Sequence, residues 1–225
     1  MAGKVVQRKL LVEGESDKRV IPELVEHNGI LWAVNKGEYV VTIASLNGVD
    51  NFHEALLNTE LKASGLEILG LIVDADDDPL ARWVKIRDIC RKTALHPSIP
   101  DDLPPGGLVI PPERSGDIVQ RPGFGLWMMP DNRQEGMLET FLTLLVPDHT
   151  TDPVWRYVKV AVDKARNKGA PFIREHSYKA RLHTWLAWQK PPGRQLHEAI
   201  RDKVLDPKAP ESKPFMEWFR ALYNL

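Results

Sequence analysis

Apolar and polar positions follow one another in blocks along the first half of the chain. A short apolar run at residues 9–13 precedes a segment whose apolar spacing is that of an amphipathic helix, extending to about residue 27. A run rich in β-branched residues covers 39–44, and a nearly continuous apolar run covers 67–74. The run at 67–74 is typical of a strand in a sheet that is covered on both faces. Strands alternating with helices predict a parallel sheet with right-handed crossovers.

Polar residues at the starts of these helical segments are candidate N-caps. We expect Ser16 to cap the first helix, Asp50 the second and Asp78 the third, where Pro79 would take the first helical position. The third helix is expected to bury several apolar side chains, Leu80 among them.

The second half of the chain reads differently. Residues 96–122 are rich in Pro and Gly and predict a loop-rich insertion with one short strand at 108–110. A strand at 125–129 then leads into a helix. After Pro147 the pattern predicts four helices, at 152–166, 177–188, 195–204 and 214–223. We therefore expect an α/β domain over residues 1–147 and a helical C-terminal region over 148–225 packed on it.

Composition narrows the class of protein. The 225 residues are 43% hydrophobic and 27% charged, as in globular proteins, and hold no apolar run long enough to span a membrane. The N-terminal segment becomes acidic before a signal-peptide core could form, so we expect a cytoplasmic protein. Cys90 is the single cysteine, which excludes an intrachain disulfide and a thiolate metal cage.

Three acidic residues stand where chemistry is expected. Glu13 ends the first predicted strand, and Asp74 and Asp76 end the strand at 67–74. Functional residues of parallel sheets collect at the carboxyl ends of the strands. Residues two apart on an extended chain point to the same side, so Asp74 and Asp76 can face one site. Converging carboxylates need a cation or a retained proton, and an oxygen-only set suits Mg²⁺ or Mn²⁺, so we expect Glu13, Asp74 and Asp76 to share one cation.

These motifs resemble a known signature. Glu13-Gly14 with Asp17, followed by Asp74-Ala-Asp76, is similar to the Toprim motif of topoisomerases, bacterial-type primases and OLD (overcoming lysogenization defect) nucleases. The resemblance covers roughly residues 5–145. It implies a Toprim-like, mostly parallel sheet flanked by helices, a general acid/base role for Glu13 and metal binding by the two aspartates. It also implies that Gly14 and Asp17 lie close to the substrate.

A third motif extends the resemblance. The segment from Gly123 to Leu142, GFGLWMMPDNRQEGMLETFL, resembles that of OLD-like nuclease-type Toprim proteins and of a small stand-alone Toprim-related family without an assigned function. It implies Asp131 and Glu139 as additional metal ligands, with Glu135 as a further candidate. Each of these three acids is otherwise a helix cap or a solvated side chain.

A basic segment provides candidate phosphate contacts. Residues 156–181 hold eight basic and two acidic side chains, a local balance of +6 in a chain whose net charge is -1. They form either a solvated helix face or a wall that binds phosphate opposite the acids. We place Lys179 near the scissile phosphate, and Lys159, Lys168 and Arg181 along the nucleic acid.

The expected function is cleavage of DNA or RNA phosphodiester bonds by an Mg²⁺- or Mn²⁺-dependent nuclease. The alternative is a nucleic-acid- or nucleotide-binding Toprim subunit that works with a separate ATPase, because the 225 residues contain no G-x-x-x-x-G-K-[ST] motif and no excess of positive charge. A third alternative is a phosphohydrolase that acts on a small nucleotide. The oligomeric state is left open by the sequence.

Overall fold

The computed structural model describes residues 7–35 and 38–225. Within them, the strands in chain order are β1 (Gln7–Val12), β2 (Ala33–Asn35), β3 (Glu38–Tyr39), β4 (Thr42–Ser45), β5 (Leu66–Asp74), β6 (Leu108–Ile110), β7 (Glu113–Ser115), β8 (Ile118–Arg121) and β9 (Gly123–Met129). Five of these strands form the central sheet in the order β4-β1-β5-β9-β6. The pairs β4–β1, β1–β5 and β5–β9 are parallel, and β6 runs antiparallel to β9. The predicted mostly parallel α/β sheet is confirmed.

Helices cover both faces of this sheet. In chain order they are α1 (Glu15–His27), α2 (Glu54–Leu61), α3 (Pro79–Cys90), α4 (Leu138–Thr143), α5 (Pro153–Asn167), α6 (Ser177–Ala187), α7 (Leu196–Arg201) and α8 (Lys213–Tyr223). Among the described residues, no helix combines the length and the apolar character needed to cross a membrane.

Alternating side chains of the strands pack into two separate hydrophobic cores, one on each face of the sheet. Leu10 and Val12 of β1 enter the core covered by α1 and by the helices from α4 onward, whereas Leu11 enters the core beneath α2 and α3. This is the period of two that a strand requires. Because both faces of the sheet are covered, β5 is buried from Leu66 to Val73, as its continuous apolar sequence predicts.

The C-terminal helix packs directly on the sheet. A side chain at Gly70 would overlap Tyr223, and a Cβ at Gly125 would lie 2.6 Å from Leu222, so these glycines let α8 approach the strands. The hydroxyl of Tyr223 donates a hydrogen bond of 2.9 Å to the carbonyl oxygen of Lys9. The helices after residue 148 therefore share one core with the α/β part.

Some local expectations were wrong. The N-cap of α1 is Gly14 rather than Ser16, and the N-cap of α2 is His53, whose Nδ1 accepts from Leu56 N at 3.2 Å. Asp50 instead lies within a short 3-10 helix, Val49–Asn51, that precedes α2. Leu80 is 67% exposed, because the face of α3 that meets the sheet is set by Trp83 and Ile86.

Asp78 caps α3 as predicted, and this gives a stability prediction. Its carboxylate accepts a hydrogen bond of 2.9 Å from Ala81 N. Asp78→Ala should lower the free energy of unfolding by about 1 kcal/mol in urea denaturation, because one helix N–H loses its partner. Asp78→Asn, which can still accept this bond, is the control and should stay within a few tenths of a kcal/mol of wild type. Equal losses in both variants would contradict the capping role.

Candidate functional site

Glu13 and Asp74 meet at the carboxyl edge of the sheet. Glu13 follows β1, Asp74 ends the neighbouring parallel strand β5, and Glu13 Oε2 accepts a hydrogen bond of 3.0 Å from Asp74 N. Asp74 Oδ1 accepts a bond of 2.9 Å from Leu138 N, in the first turn of α4. The helix N-terminus favours negative charge here. The structure thus brings together two of the three acids that the sequence singled out.

Asp17 adds a third carboxylate. It lies in the first turn of α1, is 5% exposed, and its Oδ2 accepts a bond of 3.1 Å from Gly14 N. Its Oδ1 is buried and has no hydrogen-bond partner among the described residues. Burial, together with the charges of Glu13 and Glu139, raises the pKa of Asp17 to about 7. A buried carboxylate oxygen without a donor is costly unless it meets a proton or a cation.

Glu139 completes what we call the carboxylate cluster: Glu13, Asp17, Asp74 and Glu139. Burial raises the pKa of Asp74 well above its usual range, and the charges of Asp17, Glu13 and Glu139 raise it further. Burial also raises the pKa of Glu13, against the hydrogen bond from Asp74 N and the positive charge of Arg82. Glu13, Asp17 and Asp74, whose pKa values are raised, therefore bind protons more tightly than free carboxylates do, and a cation would be attracted to the cluster.

Lys179 reaches this cluster from the C-terminal region. Its Nζ lies 3.2 Å from Glu139 Oε1, and Glu139 itself is 5% exposed. The sequence placed both residues at the site, and the structure puts them in direct contact. A small cavity of about 280 Å³ adjoins the pair and is also lined by His183 and His197.

Asp76 departs from the extended backbone that the sequence argument assumed. Its φ is +54°, and its N–H and carbonyl pair with Gly136 across an isolated bridge, at 2.9 and 2.6 Å. The strand has ended at Asp74, so the rule of two no longer applies. The carboxylate of Asp76 pairs with Arg82 on α3, while its charge still acts on Glu13. The sequence analysis did not identify Arg82, although its position one turn into the helix that follows the Asp74-Ala-Asp76 motif could have been recognised.

The carboxylate of Asp131 accepts hydrogen bonds from within its own loop. Its Oδ1 accepts from Arg133 N at 3.1 Å and from Gln134 N at 2.8 Å, and its Oδ2 accepts from the Gln134 side chain at 2.8 Å. The described residues show no contact between Asp131 and the carboxylate cluster. Glu135, nearby, is exposed and lines a larger cavity. Of the three acids of the third motif, Glu139 alone therefore belongs to the cluster.

This larger cavity, of about 880 Å³, lies beside Asp76. We call it the arginine cavity, because three members of the basic segment line it: Arg166, Arg174 and Arg181. Arg181 Nη2 lies 3.0 Å from Asp163 Oδ1.

The other two predicted phosphate contacts do not line this cavity. Lys159 Nζ lies 5.4 Å from the centre of the Trp155 ring, and Lys168 is an exposed residue at the end of α5. The basic segment is thus split between a wall of the cavity and a solvated helix surface.

The donor set fits a hard divalent cation in chemistry but forms no closed cage. The cluster offers only oxygen atoms, the ligands that Mg²⁺ and Mn²⁺ prefer, and Asp17 Oδ1 has no other partner. Yet in the described part of the chain no three His, Cys, Asp or Glu side chains are arranged so that they could hold a metal ion. Metal binding would therefore require carboxylates of the cluster to turn toward one another.

Fold and site together define an α/β protein with a partly buried carboxylate cluster at the carboxyl edge of a mostly parallel sheet. The chain belongs to the family described as protein of unknown function DUF3226, whose model matches residues 7–224. No curated protein matches it, and no solved structure does. The family description assigns no activity, so the functional argument rests on the residues of the site.

The raised pKa of Asp17 predicts a pH dependence of stability. An ordinary Asp has a pKa of 3.8, and that of Asp17 is about 7 in the folded protein. Between these values the folded state binds more protons than the unfolded state, so the free energy of unfolding falls as pH rises from about 4 to about 7. Asp17→Asn, which can still accept from Gly14 N, should flatten this slope and be more stable than wild type at pH 8.

Urea denaturation at pH 5 and pH 8 measures both effects. Glu13 and Asp74 shift in the same direction as Asp17, so part of the slope should remain in the variant. Asp117→Asn, in the exposed turn between β7 and β8, is the control and should keep the full slope. An Asp17→Asn protein with the wild-type slope would show that Asp17 is not the group that titrates.

Proposed function

We propose that the chain is an Mg²⁺- or Mn²⁺-dependent nuclease of the Toprim kind, which hydrolyses phosphodiester bonds in DNA or RNA. The observation that carries the proposal is the carboxylate cluster. Its four acids come from the ends of β1 and β5 and from the first turns of α1 and α4, and their charges act on one another. Buried like charges at a cleft are costly for stability, which favours a role in chemistry over a role in folding.

Each member of the cluster has a role under this proposal. Asp74, Asp17 and Glu139 would hold the cation through carboxylate oxygens, and Glu13 would take up or deliver the proton. A raised pKa brings Glu13 closer to the working pH of a general acid/base. When bound, the cation would activate a water and neutralise the leaving oxyanion. Lys179 would turn from Glu139 to the scissile phosphate and offset its developing negative charge.

A second candidate is a binding module without turnover of its own, acting with a separate ATPase. Two observations favour it. The carboxylate of Asp76 is taken by Arg82, and no three acids among the described residues already form a metal cage. A partner that displaced Arg82 would free the carboxylate of Asp76, so this candidate predicts activity only in a complex.

One experiment separates the two candidates. The purified chain is incubated with labelled single-stranded DNA, double-stranded DNA and RNA, each in Mg²⁺, Mn²⁺ and EDTA, and the products are resolved by electrophoresis. The nuclease proposal predicts cleavage of at least one substrate with a metal and none in EDTA. Binding without cleavage under every condition would reject the stand-alone nuclease and support the binding module.

A further inference from the structure

The arginine cavity has two walls of opposite charge. Asp76, Asp77 and Glu135 line it from the loops that follow β5 and precede α4. Arg166 and Arg174 line it from the end of α5 and the segment before α6. The acidic wall adjoins the carboxylate cluster through Asp76, whose charge acts on Glu13. A ligand that fills the cavity therefore needs a negatively charged group facing the basic wall and an uncharged part facing the acidic wall.

The basic wall has unused binding capacity. Among the described side chains, Arg181 pairs with Asp163, whereas Arg166 and Arg174 form no ion pair with a carboxylate. Arg181 also holds a buried Nε without a hydrogen-bond partner among these residues. Guanidinium groups bind phosphate through several parallel hydrogen bonds. The wall is therefore suited to a phosphate group.

Tyr178 provides an aromatic surface in the same cavity. It lies in the first turn of α6, one residue before Lys179, and its side chain is 36% exposed. The Arg181 guanidinium lies 5.8 Å from the centre of its ring. The exposed part of the ring can stack on a base. Such stacking does not depend on the identity of the base, because every base has a π face. Tyr178 and Arg181 thus face the arginine cavity, while Lys179 faces the cluster.

The Tyr178 ring favours a single-stranded nucleic acid over a duplex. Bases in a duplex stack on one another, so only an unpaired base can stack on a side chain without unstacking cost. The cavity volume of about 880 Å³ also lies within the range of about 300–1,000 Å³ typical of pockets for small molecules. One nucleotide, rather than a length of double helix, matches such a space.

We propose that the arginine cavity binds one nucleotide of a single-stranded nucleic acid, with the phosphate at Arg166 and Arg174 and the base on Tyr178. This deepens the proposed function, on which it rests for the chemistry that follows binding, by naming single strands as the substrate class. Because Asp76 lines the cavity and its charge acts on Glu13, the phosphodiester next to the bound nucleotide would lie toward the carboxylate cluster.

Fluorescence anisotropy in EDTA tests binding apart from cleavage. The probe is a fluorescein-labelled single strand of about 12 nucleotides, compared with a duplex of the same sequence, over a series of salt concentrations. Wild type should prefer the single strand. Tyr178→Leu should weaken binding of the strand at least fivefold, about the lower end of aromatic stacking, whereas Tyr178→Phe keeps the ring and should bind like wild type.

Charge variants test the phosphate contact. Arg174→Gln should weaken binding and reduce the salt slope by about 0.7, the value for one phosphate contact to a single strand. Glu135→Gln removes a negative charge from the opposite wall and should strengthen binding. Lys92→Gln, an exposed cation near the end of α3, is the control and should leave affinity within about twofold, since long-range effects are screened.

The outcomes separate this inference from the proposed function. Equal binding of strand and duplex, or equal affinity in Tyr178→Leu and Tyr178→Phe, would overturn the inference even if the protein cleaves nucleic acid. Binding that follows the predicted pattern without cleavage in any metal would uphold the inference and reject the stand-alone nuclease.

Discussion

Asp74→Asn should abolish metal-dependent cleavage while leaving the protein folded. Asparagine can still accept the hydrogen bond from Leu138 N, but it removes one negative charge from the carboxylate cluster. Changes to groups that merely support metal ligands cost about 10–100-fold in affinity or activity, so loss of a ligand itself should cost at least about 100-fold. Initial rates of strand cleavage in Mn²⁺ measure the effect.

Glu13→Gln should lower the same rate by about 10²–10⁴ if Glu13 is the general acid/base, because glutamine cannot carry the proton. Its amide oxygen can still accept from Asp74 N, so the local structure should persist. Both variants relieve repulsion between buried carboxylates and should unfold at the wild-type urea concentration or higher. Asp117→Asn is the control for nonspecific charge loss. A folded Asp74→Asn protein with the wild-type rate would contradict the assignment.

Phe215→Ala should lower the free energy of unfolding by about 3–5 kcal/mol, the usual cost of emptying a buried aromatic site. Phe215 is fully buried, and its ring packs at 5.5 Å from Trp127 of β9 and at 5.9 Å from Phe141 of α4. It therefore joins the C-terminal helix to the sheet and to the helix that carries Glu139. Urea denaturation followed by circular dichroism measures the loss.

The matched control is Ile118→Ala, at the first residue of β8, which is 63% exposed. Its effect should stay within about 0.5 kcal/mol, as for most surface substitutions. If the C-terminal helices formed an independent unit, Phe215→Ala would instead split unfolding into two transitions and leave the sheet at its wild-type midpoint. That result would contradict a shared core.

The fold was largely readable from the sequence because hydrophobic burial imposes a period. The continuous apolar run predicted β5, which is buried on both faces of the sheet. The helical spacing predicted α1, which buries one face. The small hairpins β2–β3 and β7–β8 were missed, because strands of only two to four residues are too short to leave a clear apolar pattern. The cap of α2 was missed because a histidine rather than an aspartate supplies it.

The site was readable in part. Glu13 and Asp74 could be placed together because strand ends of a parallel sheet meet at one edge. The burial of Asp17 and the contact between Glu139 and Lys179 depend on how α4 and α6 pack, which periodicity does not determine. The rule that residues two apart share one side failed at Asp76 for a backbone reason, since its φ of +54° ends the extended chain. Predicted metal ligation by Glu13, Asp74, Asp76, Asp131 and Glu139 stays a prediction.

The most direct test of the proposed site is a calorimetric titration of Mn²⁺ into the purified protein at pH 8. At this pH most of Asp17 is ionised, because its pKa is about 7. The account predicts saturable binding in wild type and in Asp117→Asn, and its loss in Asp74→Asn. Absence of Mn²⁺ binding in wild type, or equal binding in Asp74→Asn, would contradict a metal-dependent site at the carboxylate cluster.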